Sequence, residues 1–261
     1  MTELTHITKT YRQLRLIAGW TLIAAPLLII AVAYITEPTI KAALSDYYFA
    51  EPKPGLVRTL FTGFLILVGG ILIAYRGFDN NDNWIHNAAG AFAVSVAIFP
   101  EHCGSADGLY CAPGLLSSLH LPSAVLVFVF AAWAVYYCGG PNLKGQLKPK
   151  ELSTLRHARM ASIGAMALGV VLYVTRPLLS AYIQEFKVTT LTVELFGFFG
   201  FAAYWLVMTR VIDKANHRIR EQIKLSKSGG RAIAASLESK AAATAEPGLV
   251  GPDEEGLSEI P

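Results

Sequence analysis

Apolar residues in this chain fall into six long blocks separated by short polar stretches: Leu16 to Ile35, Leu60 to Tyr75, Ile85 to Pro100, Leu121 to Tyr137, Met160 to Thr175 and Leu191 to Met208. Nearly uncharged runs of this kind read as membrane spans, because ~20 apolar residues in a helix cover the ~30 Å of bilayer hydrocarbon. The expected fold is all-α, a polytopic membrane bundle of six transmembrane helices. Asp82 and Asn83 supply N-cap chemistry before the third block, and Pro100 closes it. Several blocks are shorter than a full span, so Trp84, Tyr136, Tyr137, Tyr173 and Trp205 are expected to complete the crossing at the headgroups. A bundle with one fewer span, its third or fifth block re-entrant, is the alternative.

Orientation follows from the basic residues. The amino-terminal arm, the loop with Arg76, the loop from Lys144 to Arg159 and the tail hold 17 of the 22 Lys and Arg, whereas Lys41, Lys53, Arg58, Arg176 and Lys187 occupy the other side. Positively charged segments stay in the cytoplasm, which places both termini inside and the loops after the first, third and fifth helices outside. The first block is as long as a span and has no small-residue cleavage site after it, so it reads as a retained signal anchor. The expected organisation is a cytoplasmic arm (1–12), a six-helix membrane domain (13–212), a basic juxtamembrane segment (213–227) and a disordered tail (228–261) rich in Ala, Gly, Ser and Pro. Rows of small residues, Ala89, Ala93 and Ala97 on the third helix and Ala161, Ala165 and Gly169 on the fifth, predict close helix contacts.

Composition sharpens the compartment. Hydrophobic residues make up 53% of the chain and charged ones only 16%, which requires an apolar solvent. The net charge of +3 is too small to argue for nucleic acid, and the basic residues flank apolar blocks where anionic headgroups would meet them. Membrane lipids are therefore the expected partner, with a protein partner or a homo-oligomer left open, and a bacterial cytoplasmic (inner) membrane the expected location.

Polar residues gather at the outer boundary: Ser45, Asp46, Tyr47 and Tyr48 in the first outside loop, Glu101 and His102 after the third helix, His120 opening the fourth, and Arg176 and Glu194 on the fifth and sixth. Glu194 stands out, since an acid at an apolar segment is costly without a partner, and it is the one ionisable group in a span that this reading marks as buried. Cys103 and Cys111 share one outside loop and form a candidate disulfide in an oxidising compartment, with free thiols as the alternative. The histidines have no i, i+4 pair of the zincin kind. A zinc site over His102, His120 and Asp46 is a minor alternative to the expectation of no cofactor. Nucleotide loops, a nucleophile elbow and a Rossmann fingerprint are absent from the sequence.

Ser45-Asp46-Tyr47-Tyr48 before an arginine-led helix, Tyr75-Arg76-Gly77-Phe78, Asp82-Asn83, Ala89-Gly90, Val96-Ala97-Ile98-Phe99-Pro100 and a helix-opening His120 together resemble the bacterial multi-pass membrane proteins grouped as domain of unknown function 998. The resemblance spans about residues 12 to 210 and implies an integral membrane protein of six or seven helices, with no activity attached. A remoter likeness to the alkaline ceramidase and progestin-receptor membrane hydrolases rests on a Ser, an Asp and His120, without that superfamily's HxxxH pair or seventh helix. The leading expectation is a membrane protein, more readily non-catalytic than an enzyme, whose outer polar site binds lipid headgroups or a partner. A metal-dependent hydrolase of a lipid or amide is the first alternative, and a small-solute or proton-coupled transporter the second.

Overall fold

The computed structural model describes residues 2–49, 55–77, 79–99, 114–137, 147–182 and 189–244. Every regular element among them is helical: α1 (Thr2–Thr36), a 3-10 segment (Ser45–Phe49), α2 (Leu56–Ala74), α3 (Asn80–Ile98), α4 (Gly114–Ser117), α5 (His120–Tyr137), α6 (Pro149–Tyr182) and α7 (Thr190–Thr244). Five of these helices, α1, α2, α5, α6 and α7, contain stretches long and apolar enough to cross a bilayer. Their outward faces carry Leu27, Leu67, Val125, Val171 and similar residues, the exterior of a membrane-embedded bundle. Helix α3 is long enough at 19 residues, but it opens with Asn80, Asn81, Asp82 and Asn83 and is not among the five.

Local chemistry sets the helix boundaries. Asp79, with extended backbone, caps α3 by accepting the Asp82 amide at 2.7 Å. The cap therefore lies one turn before the expected position, and Asp82 falls inside the first helical turn. Helix α6 begins at Pro149, whose missing N–H costs nothing in a first turn, and the Glu151 carboxylate accepts the Lys148 amide at 2.9 Å. Pro26 lies within α1 and Pro177 within α6, a placement tolerated in membrane helices. Helix α7 continues past its apolar part through Thr244, across the stretch read from sequence as the start of a disordered tail.

The chain divides into two compact units, Met1–Lys214 and Ala215–Pro261. The first holds the bundle. Helix α3 packs most extensively against α2 and α5. A Cβ placed on Gly90 would meet the Gly69 carbonyl oxygen at 2.5 Å, so α2 and α3 touch backbone to backbone there. Ala89, Ala93 and Ala97 of the small-residue row are buried on α3. On α6, Gly169 admits the Phe196 side chain of α7, while Ala161 and Ala165 line an open groove beside α7. Trp205 is 1% exposed, so it belongs to the core and not to the headgroup boundary. It packs against Tyr75, His86 and Phe201. The second unit is helical through Thr244, and its residues 219–229 are exposed.

Candidate functional site

At the end of the bundle where α7 begins, the loop after α1 is clamped in place. Leu191 donates its amide to the Ala42 carbonyl at 2.7 Å, and the Leu44 amide donates to Glu194 Oε2 at 2.6 Å. The next amide back in the chain, that of Ala43, donates to Asp46 Oδ2 at 2.9 Å. Two carboxylates from distant parts of the sequence thus satisfy consecutive N–H groups of one loop. Tyr47 is fully buried and accepts the Lys41 amide on its hydroxyl at 3.2 Å. Ser45 is buried beside it. Lys41 donates to both oxygens of Glu37, and Thr39 donates to one of them. These bonds, the Lys41 contact first, hold the Glu37 carboxyl below its ordinary range.

Two arginines at this end lie over tyrosine rings. The Arg58 guanidinium is 4.5 Å from the centre of the Tyr48 ring, and that ring in turn meets Phe49 and Phe61 edge-on. The exposed Arg176 lies 4.1 Å over Tyr173, whose hydroxyl is hydrogen-bonded to Thr190 in the first turn of α7. Stacking fixes the orientation of a guanidinium, and of the two arginines Arg176 is the exposed one.

Of the residues expected at this boundary, Ser45, Asp46, Tyr47, Tyr48, Arg176 and Glu194 are brought to one end of the bundle. His120 is buried and its Nδ1 lies 2.7 Å from the Phe99 carbonyl oxygen, so it joins the ends of α3 and α5. Glu101, His102, Cys103 and Cys111 lie outside the described residues. Among the described residues no group of three or more His, Cys, Asp and Glu side chains is arranged to hold a metal ion.

The other end of the bundle contains a buried polar cluster that the sequence reading passed over. Asp82 and His86 are each 1% exposed, and Arg15 is also buried, so Glu194 is not alone as an ionisable group within the bundle. His86 Nδ1 lies 2.9 Å from the Asp82 main-chain oxygen and 2.8 Å from its carboxylate. Both neighbours are acceptors, so Nδ1 carries the hydrogen. The ring stacks on Trp205 at 5.5 Å and meets Tyr75 at 4.9 Å. Its Nε2 is buried without a hydrogen-bond partner among the described residues. Arg15 Nε donates to Thr209 Oγ1 at 3.2 Å, and that hydroxyl donates to the Trp205 carbonyl at 2.8 Å. The legible signal was the Asp-x-x-x-His spacing, which puts an acid and an imidazole on one helix face.

A central void of about 20 Å³ is lined by Leu72, Ala89, Phe128, Phe201 and other apolar side chains. Larger apolar grooves flank α6. One of about 510 Å³ runs between α6 and α7, and one of about 420 Å³ is walled by α5, α6 and α7. Comparison with known proteins identifies no relative: no protein family, curated protein or solved structure matches the chain. The class defined by fold and surface is that of helical membrane-embedded proteins.

Proposed function

We propose that this protein binds anionic lipid headgroups at the end of the bundle where α7 begins. The observation that carries this reading is the exposed Arg176, stacked on Tyr173 at the edge of a clamped loop. A phosphate accepts charge-assisted, bidentate hydrogen bonds from a guanidinium held in this way. Clamping by Glu194 and Asp46 removes much of the ordering cost that a mobile loop would add to binding. In this reading the chain crosses a bacterial cytoplasmic membrane six times, α3 included, with both termini inside and the headgroup surface in the outer leaflet. The uneven Lys and Arg distribution supports that orientation. The resemblance to the domain of unknown function 998 proteins agrees in helix number and assigns no chemistry.

The test is thermal unfolding of the purified protein in neutral detergent with added phosphatidylglycerol or phosphatidylcholine. Phosphatidylglycerol should raise the midpoint selectively, and the variant Arg176→Gln should lose that response. Equal shifts with both lipids would overturn the proposal.

A further inference from the structure

We infer that the groove walled by α5, α6 and α7 is a binding site for one anionic phospholipid, with an acyl chain in the groove and the phosphate on Arg176. The inference rests on the headgroup reading above and adds a specific location and a tail to it.

The groove has a direction. Ala132, Ile163 and Gly197 lie at its deep end, and Val125, Val170 and Val193 lie toward the end of the bundle where α7 begins. Tyr173 follows Val170 by about one helical turn on α6, and Thr190 precedes Val193 by about one turn on α7. The Tyr173–Thr190 hydrogen bond therefore bridges α6 and α7 at the head of the groove, with Arg176 stacked on the same tyrosine. A cation at the head of an apolar channel, parallel to membrane helices, matches an amphiphile with an anionic head and an apolar tail. A small polar solute would have no partner along walls made of aliphatic and aromatic side chains.

Packing explains why the channel is there. Helix α6 buries only 17% of its apolar window, against 33% to 56% for the other four candidate spans. Gly169 lets α6 meet α7 closely at Phe196, and Gly197 makes room for the Phe128 ring of α5. The helices touch at these points and part beside them. In hydrocarbon an unfilled channel would forfeit dispersion contacts on all three walls, and an acyl chain restores them.

The test uses the full-length protein in phosphatidylcholine nanodiscs containing a minor fraction of phosphatidylglycerol. A photoreactive diazirine is placed in the acyl chain of one lipid or the other, and the adducts are mapped by mass spectrometry. Adducts should concentrate on Val125, Val129, Met166 and Val170, several-fold above the outward face of α2 at Gly63, Leu67 and Gly70. Phosphatidylglycerol should label the groove on the order of tenfold more per molecule than phosphatidylcholine, the ratio expected of a charge-assisted hydrogen bond. Arg176→Gln should remove that preference and leave the two lipids labelling the groove equally. Ala132→Phe should fill the deep end and remove the groove adducts from both.

The outcomes separate the two readings. Even labelling over all outward faces, with the phosphatidylglycerol preference in unfolding intact, would overturn the groove and leave the headgroup surface standing. Concentrated labelling without any headgroup preference would overturn Arg176 as the phosphate site and the headgroup reading with it. Cross-links from groove residues to a second copy of the chain would reassign the groove to self-association. If Ala132→Phe fails to fold, the adduct map of the unaltered protein decides alone.

Discussion

Glu194 on α7 accepts the amide hydrogen of Leu44 at 2.6 Å across a separation of 150 residues, so the start of the last span fixes the first loop. Replacing Glu194 with Ala leaves that amide without its acceptor and should cost ~1–3 kcal/mol of stability. Glu194→Gln retains an acceptor oxygen and should cost less. A double-mutant cycle with Asp46→Ala, read by thermal unfolding in detergent, should be non-additive, because Asp46 holds the neighbouring amide of the same loop.

His86 offers a separation of packing from polarity. His86→Phe keeps an aromatic ring between Tyr75 and Trp205 and removes the Nδ1 donor, with an expected cost of ~1–3 kcal/mol from the acceptors left at Asp82. His86→Ala also opens a cavity in the core and should cost ~3–5 kcal/mol, as ring deletions do. Equal losses in detergent unfolding would mean that ring packing contributes nothing.

The glycines of α2 are not equivalent. A Cβ on Gly69 would meet the Gly90 carbonyl oxygen at 2.8 Å, and one on Gly63 would meet nothing within 4 Å. Gly69→Ala should destabilise by ~1–3 kcal/mol through overpacking, while Gly63→Ala should stay within ~0.5 kcal/mol of the parent. Unfolding midpoints of the two variants check the contrast.

The Glu37–Lys41 clasp should depend on acid. The Glu37 carboxyl is held below its ordinary range in the folded chain, so whatever the clasp contributes is fully present above that range and is lost as pH falls through the lowered value. Carbon-detected NMR of the Glu37 carboxyl should follow this titration, and Lys41→Gln should move it back toward the ordinary range, with the Thr39 hydrogen bond still holding it down.

Topology is tested by reporter fusions. Fusions at Gly140 and Lys227 should report cytoplasm and one at Gly108 the outside, as the distribution of Lys and Arg requires. A cytoplasmic Gly108 would invert the orientation and remove the oxidising environment on which a Cys103–Cys111 bond depends.

The spans were readable in sequence because hydrocarbon demands long apolar runs, and α1, α2, α5, α6 and α7 obey that demand directly. The sequence also placed Ser45 to Tyr48 and Glu194 at one boundary, because alternate loops of a membrane bundle share a side. Contacts between distant residues were less accessible. Trp205 carries the amphipathic signature of a boundary residue, yet tertiary packing encloses it among Tyr75, His86 and Phe201. Asp82 has the composition of a cap, and only the extended backbone at Asp79 moves the cap back a turn and frees Asp82 to face His86. The Arg58–Tyr48 stack joins α2 to the 3-10 segment, which periodicity does not encode, whereas Tyr173 and Arg176 stand three residues apart on α6, a spacing that helical periodicity does bring together.

The backbone contact between Gly69 and Gly90 bears on how the chain enters a bilayer. A helix with the opening polarity of α3 partitions poorly by itself, because each desolvated Asn or Asp opposes transfer. Its connection to α2 is only a few residues long, and the two glycines let the pair pack backbone to backbone. In the six-span reading proposed above, the unit of insertion is a helical hairpin, in which one strongly apolar arm carries a polar one. A bulky residue at Gly90 should therefore lower membrane yield during biogenesis.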